Sequence, residues 1–128
     1  MNYRTFTPAE ANRTLPLVKA IVGDILSKGQ ELRRELELDK RADEERVEAL
    51  HREIEGHMAE LEAIGCLYKG WGFESGLVDF PGFIDGELVY LCWQVGEQDV
   101  TWYHRVEAGY RGRTHIPAEY LAAEAESD

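Results

Sequence analysis

The residues best able to do chemistry in this 128-residue chain crowd into one stretch, Trp102-Tyr103-His104-Arg105-Val106-Glu107-Ala108-Gly109-Tyr110-Arg111-Gly112-Arg113-Thr114-His115. A strand over Val100–Arg105 puts Val100, Trp102 and His104 on one face and Thr101, Tyr103 and Arg105 on the other. His104 and Glu107 then fall at the strand end and the turn after it. His-x-x-Glu spacing there sets an imidazole beside a carboxylate, and Glu97 or Asp79 can join from neighbouring turns. His104, Glu107, Glu97 and Asp79 together suit zinc or another divalent first-row metal, and His104 with Glu107 suits an acid–base pair. There is no HExxH, no second paired histidine and no cysteine at ligand spacing. The simpler account, a partly buried strand histidine bonded to a carboxylate, is favoured.

The same stretch is locally basic, with Arg105, Arg111, Arg113 and His115 around a single acid, Glu107. Gly109 and Gly112 allow close backbone approach. Arg111 and Arg113, with Tyr110 and Trp93 nearby, are therefore candidates for binding a carboxylate or phosphate group. The competing account pairs these arginines with acids of the same chain. No Walker motif and no GxGxxG supports a nucleotide. Phe80, Phe83, Tyr90, Trp93, Trp102 and Tyr103 read as the core of a small sheet before they read as a pocket. Trp71-Gly72-Phe73 is the exception, since two large apolar residues in a glycine-rich loop must tuck under or meet a partner. Cys66 and Cys92 have no base near them in sequence and read as small buried side chains.

Composition narrows the functions. The chain carries 25 acidic and 14 basic residues, a formal net charge of −11. That opposes binding to nucleic acid or to anionic lipid. No apolar run approaches the ~20 residues that span a bilayer, and the N-terminus has no signal-like apolar stretch. Two cysteines in no CxxC pattern make neither a disulfide scaffold nor a zinc knuckle. The expectation is a single-domain cytoplasmic protein with reduced thiols.

The elements that must position the candidates divide near Gly65. Residues 1–64 hold 10 of the 14 bases but only two aromatics, and residues 65–128 hold 11 aromatics. Thr7-Pro8-Ala9-Glu10 forms a capping box with proline at the first helical position. Pro16 then bends the helix or divides it, and a bend is favoured. Leu15, Val18, Val22, Ile25, Gly29, Leu32 and Leu36 step by three and four as a heptad seam. Val47, Leu50, Ile54, His57, Leu61 and Ile64 continue it after a polar break at 39–43, with Met58 the better seam residue than His57. Residues 7–64 should fold as an antiparallel helical hairpin, coiled-coil-like. Ile21 and Leu26 widen its apolar stripe beyond the seam.

Residues 65–116 read as a three- or four-stranded antiparallel sheet. Gly76–Phe80 is a strand and Pro81–Gly86 a turn-rich loop. Glu87–Gln94 is a strand, Gly96–Asp99 a hairpin connection and Val100–Arg105 the return. Cys66-Leu67-Tyr68 is the candidate fourth strand. Residues 117–128 form a tail with a short helix from Pro117 or fray. The hairpin covers the small sheet, giving an α+β domain. The widened stripe and the aromatic loop predict a homodimer.

Phe6-Thr7-Pro8-Ala9-Glu10-Ala11-Asn12, Gly76-Leu77-Val78-Asp79-Phe80-Pro81, Leu91-Cys92-Trp93-Gln94-Val95-Gly96-Glu97 and the Trp102–Arg113 run together resemble an uncharacterised small bacterial family, domain-of-unknown-function family 2203. The resemblance runs from Tyr3 to Ile116. It implies no activity, and it implies that Asp79, Glu97, His104, Glu107 and Arg113 form the site. Three functions follow from the residues. The first is an oligomeric interaction or assembly protein with the hairpin as contact element and a protein partner. The alternative is a metal- or small-anion-binding protein around His104 and Glu107, with a divalent metal as cofactor and enzymatic activity open. A nucleic-acid partner at Arg105–Arg113 ranks last on charge.

Overall fold

The computed structural model describes residues 4–38, 43–69 and 76–121. Two helices, α1 (Pro8–Leu38) and α2 (Glu44–Ile64), form the hairpin. A five-stranded antiparallel sheet follows in chain order: β1 (Leu67–Tyr68), β2 (Leu77–Ile84), β3 (Glu87–Gln94), β4 (Trp102–Arg105) and β5 (Thr114–His115). A 3-10 turn, Tyr110–Gly112, precedes β5, and residues 118–121 are helical. The architecture is α+β. Among the described residues no helix is long and apolar enough to cross a membrane.

The capping box forms reciprocally: Glu10 N donates to Thr7 Oγ1 at 3.1 Å, and Thr7 N donates to Glu10 Oε1 at 2.9 Å. Hydrogen bonds from the backbone N–H and then the hydroxyl of Thr7 to the charged carboxylate hold Glu10 below its ordinary pKa. α1 runs unbroken through Pro16. Asp43 caps α2 by accepting from Glu45 N and Arg46 N, and Gly65 ends it at φ 107°, a left-handed conformation that glycine takes without strain. Lys40, Arg41 and the Trp71-Gly72-Phe73 loop lie outside the described residues.

The seam is the core. Leu15, Val18, Val22, Ile25 and Leu32 of α1 and Leu50, Ile54 and Leu61 of α2 are buried, whereas Leu36 is exposed. Met58 packs on the core beside a half-buried His57. Val78, Phe80, Ile84, Val89, Leu91 and Trp93 join the same cluster from alternate positions of β2 and β3, so this face of the sheet lies against the helices and the other faces outward. Ile21 is buried and Leu26 packs on the core within the one chain.

Three sequence expectations are corrected. Pro81-Gly82 is not a loop: β2 continues through it to Ile84, and the turn is Asp85-Gly86. Phe6 N donates to the Pro81 carbonyl at 2.7 Å from the flank opposite β3. The missing Pro81 N–H therefore also faces away from β3, and no ladder bond is lost. β4 begins at Trp102 rather than Val100, because both backbone groups of Val100 are taken by one side chain. Asn12 Oδ1 accepts from Val100 N at 2.7 Å and Asn12 Nδ2 donates to Val100 O at 3.1 Å. The sheet has five strands rather than three or four, β5 having been too short to read.

Gly82 permits the Phe6 strand to approach: a Cβ there would stand 2.5 Å from Phe6 O. Gly82→Ala is expected to destabilise the fold by about 1–3 kcal/mol. Gly23, in α1 with nothing within 4 Å of its would-be Cβ, should gain up to about 1 kcal/mol as alanine. Urea unfolding of both variants checks this, and a Gly82→Ala midpoint at or above wild type would show the Phe6 contact to be dispensable.

Candidate functional site

Strand register builds the site. β2 and β3 pair Asp79 with Cys92, and β3 and β4 pair Tyr90 with His104. Asp79, Cys92 and His104 thus come from three adjacent strands onto one patch of the outward face. All three are nonetheless buried, Asp79 at 4%, His104 at 5% and Cys92 at 0% exposure.

His104 is oriented from both ends. Its Nδ1 lies 2.8 Å from the Arg105 carbonyl. A carbonyl only accepts, so Nδ1 carries a proton and donates. In neutral imidazole Nε2 is then a lone pair, and it faces Asp79 Oδ1 at 3.2 Å. A deprotonated Nε2 and an ionised carboxylate are both acceptors, so a proton or a cation must lie between them. Burial raises the Asp79 carboxyl above its ordinary value, against the opposing pull of His104, Lys69 and Cys92. Burial, with the Asp79 charge adding to it, also pushes the Cys92 thiol up to about 11.

The His104, Asp79 and Cys92 ligand atoms all lie within 4.8 Å of one another, and among the described residues no other group of three is so disposed. They open on a cavity of about 210 Å³ whose wall also includes Lys69, Tyr90 and Tyr110. Beside it Arg113 reaches both carboxylate oxygens of Glu97, with Nη1 to Oε1 at 3.2 Å and Nη2 to Oε2. Its Nη1 also lies 3.9 Å from Cys92 Sγ. The guanidinium stacks over Trp102 and Tyr110, at 4.4 and 4.7 Å from the ring centroids, contacts that hold it in place.

The candidates read from sequence are distributed as follows. Asp79 and His104 meet. Glu97 pairs with Arg113 instead of joining them, and also accepts from Gln94 N at 2.7 Å. Glu107 is exposed on the turn after β4, and Arg111 is exposed in the 3-10 turn; neither lines the cavity. Tyr110 lines it and donates to Gln94 Oε1 at 2.8 Å. Trp93 points into the core at 2% exposure, its Nε1 donating to Glu97 O. Cys92 is the member that sequence reasoning missed. The two-residue turn Asp85-Gly86, with φ of 52° and 80°, was the available signal, since Asp-Gly favours a tight hairpin. Counting outward from it pairs Ile84 with Glu87 and then Asp79 with Cys92.

The model of one protein family, described as an uncharacterised conserved protein (DUF2203), matches residues 4–116. No curated protein and no solved structure matches the chain.

The buried carboxyl yields a stability prediction. Because the folded state raises its pKa above the ordinary 3.8, the protonated form is the one the fold favours. That preference is fully present below 3.8 and is lost as pH rises through the folded value. Asp79→Asn supplies a neutral donor to Nε2 at every pH. In chelator-treated protein it should raise the unfolding free energy at pH 8, measured by urea denaturation, by about 1 kcal/mol, with the advantage shrinking toward pH 4. A variant less stable than wild type at pH 8 would show a charged ion pair there instead.

Proposed function

The chain belongs to the uncharacterised conserved family DUF2203, whose match spans the whole site, and we propose that it is a metal-binding protein that holds one zinc-class ion on Asp79, Cys92 and His104. The observation that carries this reading is the facing of His104 Nε2 and Asp79 Oδ1 at 3.2 Å with Cys92 alongside. Tetrahedral bonds of about 2.0 Å put two ligand atoms roughly 3.3 Å apart, so the nitrogen and oxygen already stand at the edge length such an ion requires. Cys92 Sγ, within 4.8 Å of both, needs a shift on the order of 1 Å to complete the face.

The donor set selects the ion. One thiolate, one imidazole and one carboxylate suit zinc, cobalt or ferrous iron, whereas magnesium and calcium take all-oxygen sets. A divalent ion with one thiolate and one carboxylate is locally neutral, which makes the site compatible with burial. Binding must displace the Cys92 proton, and the Arg113 guanidinium 3.9 Å from Sγ favours the thiolate. Arg105 O, bonded to His104 Nδ1, is the outer partner that metal-ligating histidines use to fix ring and tautomer. Three protein ligands leave the fourth position to the cavity, the arrangement in which such an ion polarises a bound water or carbonyl.

Assembly through the hairpin has less support. Ile21 is buried in this chain's own core and Leu26 packs against it, which leaves Leu17 and Leu36 as the exposed large apolar side chains among the described residues of α1. Nucleic-acid binding also weakens, since Arg113 is committed to Glu97 and Arg105 to Glu87 at 3.4 Å.

Protein produced in zinc-supplemented medium and purified without chelator should carry close to one ion per chain by elemental analysis. Cys92→Ser and His104→Ala should each weaken affinity more than the roughly 10–100-fold that outer partners cost, and Glu107→Ala should not change it. Cobalt loading should give a thiolate charge-transfer band that Cys92→Ser abolishes. Wild-type metal content no higher than that of the Cys92→Ser, His104→Ala double variant would overturn the proposal.

A further inference from the structure

We propose that the ligand completing this centre is a small monocarboxylate with an apolar body, its head at the open metal position and its body along a second cavity on the same face of the sheet. The inference rests on the metal reading above and names the class of molecule the site takes.

The second cavity measures about 490 Å³, with Leu67, Pro81, Phe83, Leu88 and Tyr90 in its wall. These residues alternate with the inward-facing positions of β1, β2 and β3, in step with Asp79 and Cys92. The two cavities therefore follow one another along β2 and β3, the polar one reaching across to β4 and the apolar one to β1. Along β2 the order is Asp79, Pro81, Phe83, and along β3 it is Cys92, Tyr90, Leu88. Tyr90 is a wall of both cavities, and its ring centroid lies 5.6 Å from that of His104. From Asp79 to Phe83 is four residues, about 13 Å of strand, a span suited to a short chain or ring system rather than a folded partner.

Polarity changes along that line. At the metal end stand Asp79, His104 and the Lys69 ammonium, which makes no ion pair among the described residues. At the far end the wall includes Glu62 and Arg4, the latter bonded to the Ile64 carbonyl and set over the Phe6 ring, while Phe83 and Leu88 are 51% and 46% exposed, large apolar groups left to water on a concave surface. A ligand that satisfies both ends has a metal-binding, Lys69-pairing head and an apolar body. A neutral centre beside a lysine favours an anionic oxygen head over an amine. The 210 Å³ of the polar cavity, shared with the ion, suits a carboxylate, and among the described residues Lys69 is the one lysine or arginine in its wall.

The test titrates cobalt-loaded protein with straight-chain monocarboxylates from acetate to decanoate and follows the visible cobalt bands. Affinity is expected to rise roughly three- to fourfold per added methylene until the apolar cavity is filled. Phe83→Ala with Leu88→Ala, both at exposed positions, should flatten that dependence while leaving the acetate affinity and the cobalt spectrum unchanged. Lys69→Gln should weaken every member of the series by a similar factor. An intact cobalt spectrum with affinity independent of chain length, or a slope the double variant leaves unaltered, would overturn this inference and leave the metal site standing. Failure to take up cobalt would overturn both.

Discussion

Everything distinctive in this molecule follows from one bond, that between His104 Nε2 and Asp79 Oδ1 on the outward face of the sheet. A surface-facing strand position ordinarily leaves its polar groups to water, yet these two are as buried as the core. Because the Arg105 carbonyl claims the Nδ1 proton, the pair turns two potential acceptors toward each other in a poorly hydrated place. Such a contact is stable only with something positive between the atoms. That demand is the physical ground on which the proposed metal site rests.

That contact depends on register, and register depends on devices far from it. The positive-φ turn at Asp85-Gly86 sets β2 against β3. A slip of one residue would turn Asp79 toward the helices and expose Phe80. β4 is set differently. Asn12 of α1 holds both backbone groups of Val100, so the first turns of the helix fix where the chain enters β4 and with it the position of His104. The Phe6 strand, admitted by Gly82, ties the start of α1 to β2. Helix and site are therefore mechanically continuous although, among the described residues, no side chain of α1 or α2 lines the polar cavity.

The fold was legible where the physics is local. Capping-box spacing, three-and-four apolar stepping and β-prone runs each depend on near neighbours, and α1, α2 and β3 appear where those signals lie. Pro81-Gly82 reads as a loop because proline and glycine usually end strands. Here the flank they leave open is occupied by the Phe6 backbone, bridged to Gly82, a contact between residues distant in sequence. The site was legible in half for the same reason. Asp79 and His104 could be named as capable residues, but their meeting, and the entry of Cys92 in place of Glu97 and Glu107, are consequences of pairing. Charge followed a second non-local rule. Arg113 lies closer to Glu97 in space than any sequence spacing suggests, and the pair neutralises what looked like an anion site.

The two cysteines separate burial from function. Both thiols are pushed well up by desolvation, Cys66 to about 12 and Cys92 to about 11, so a perturbed pKa alone marks neither as special. Their company differs. Cys66 is fully buried among core residues with Arg4 as its charged neighbour, and among the described residues it belongs to no group of three metal-ligating side chains. Cys92 has a carboxylate and an imidazole within reach, and a guanidinium behind it that opposes the desolvation. Burial keeps a thiol surrounded this way protonated, and in the proposed metal site a divalent charge would be what displaces its proton.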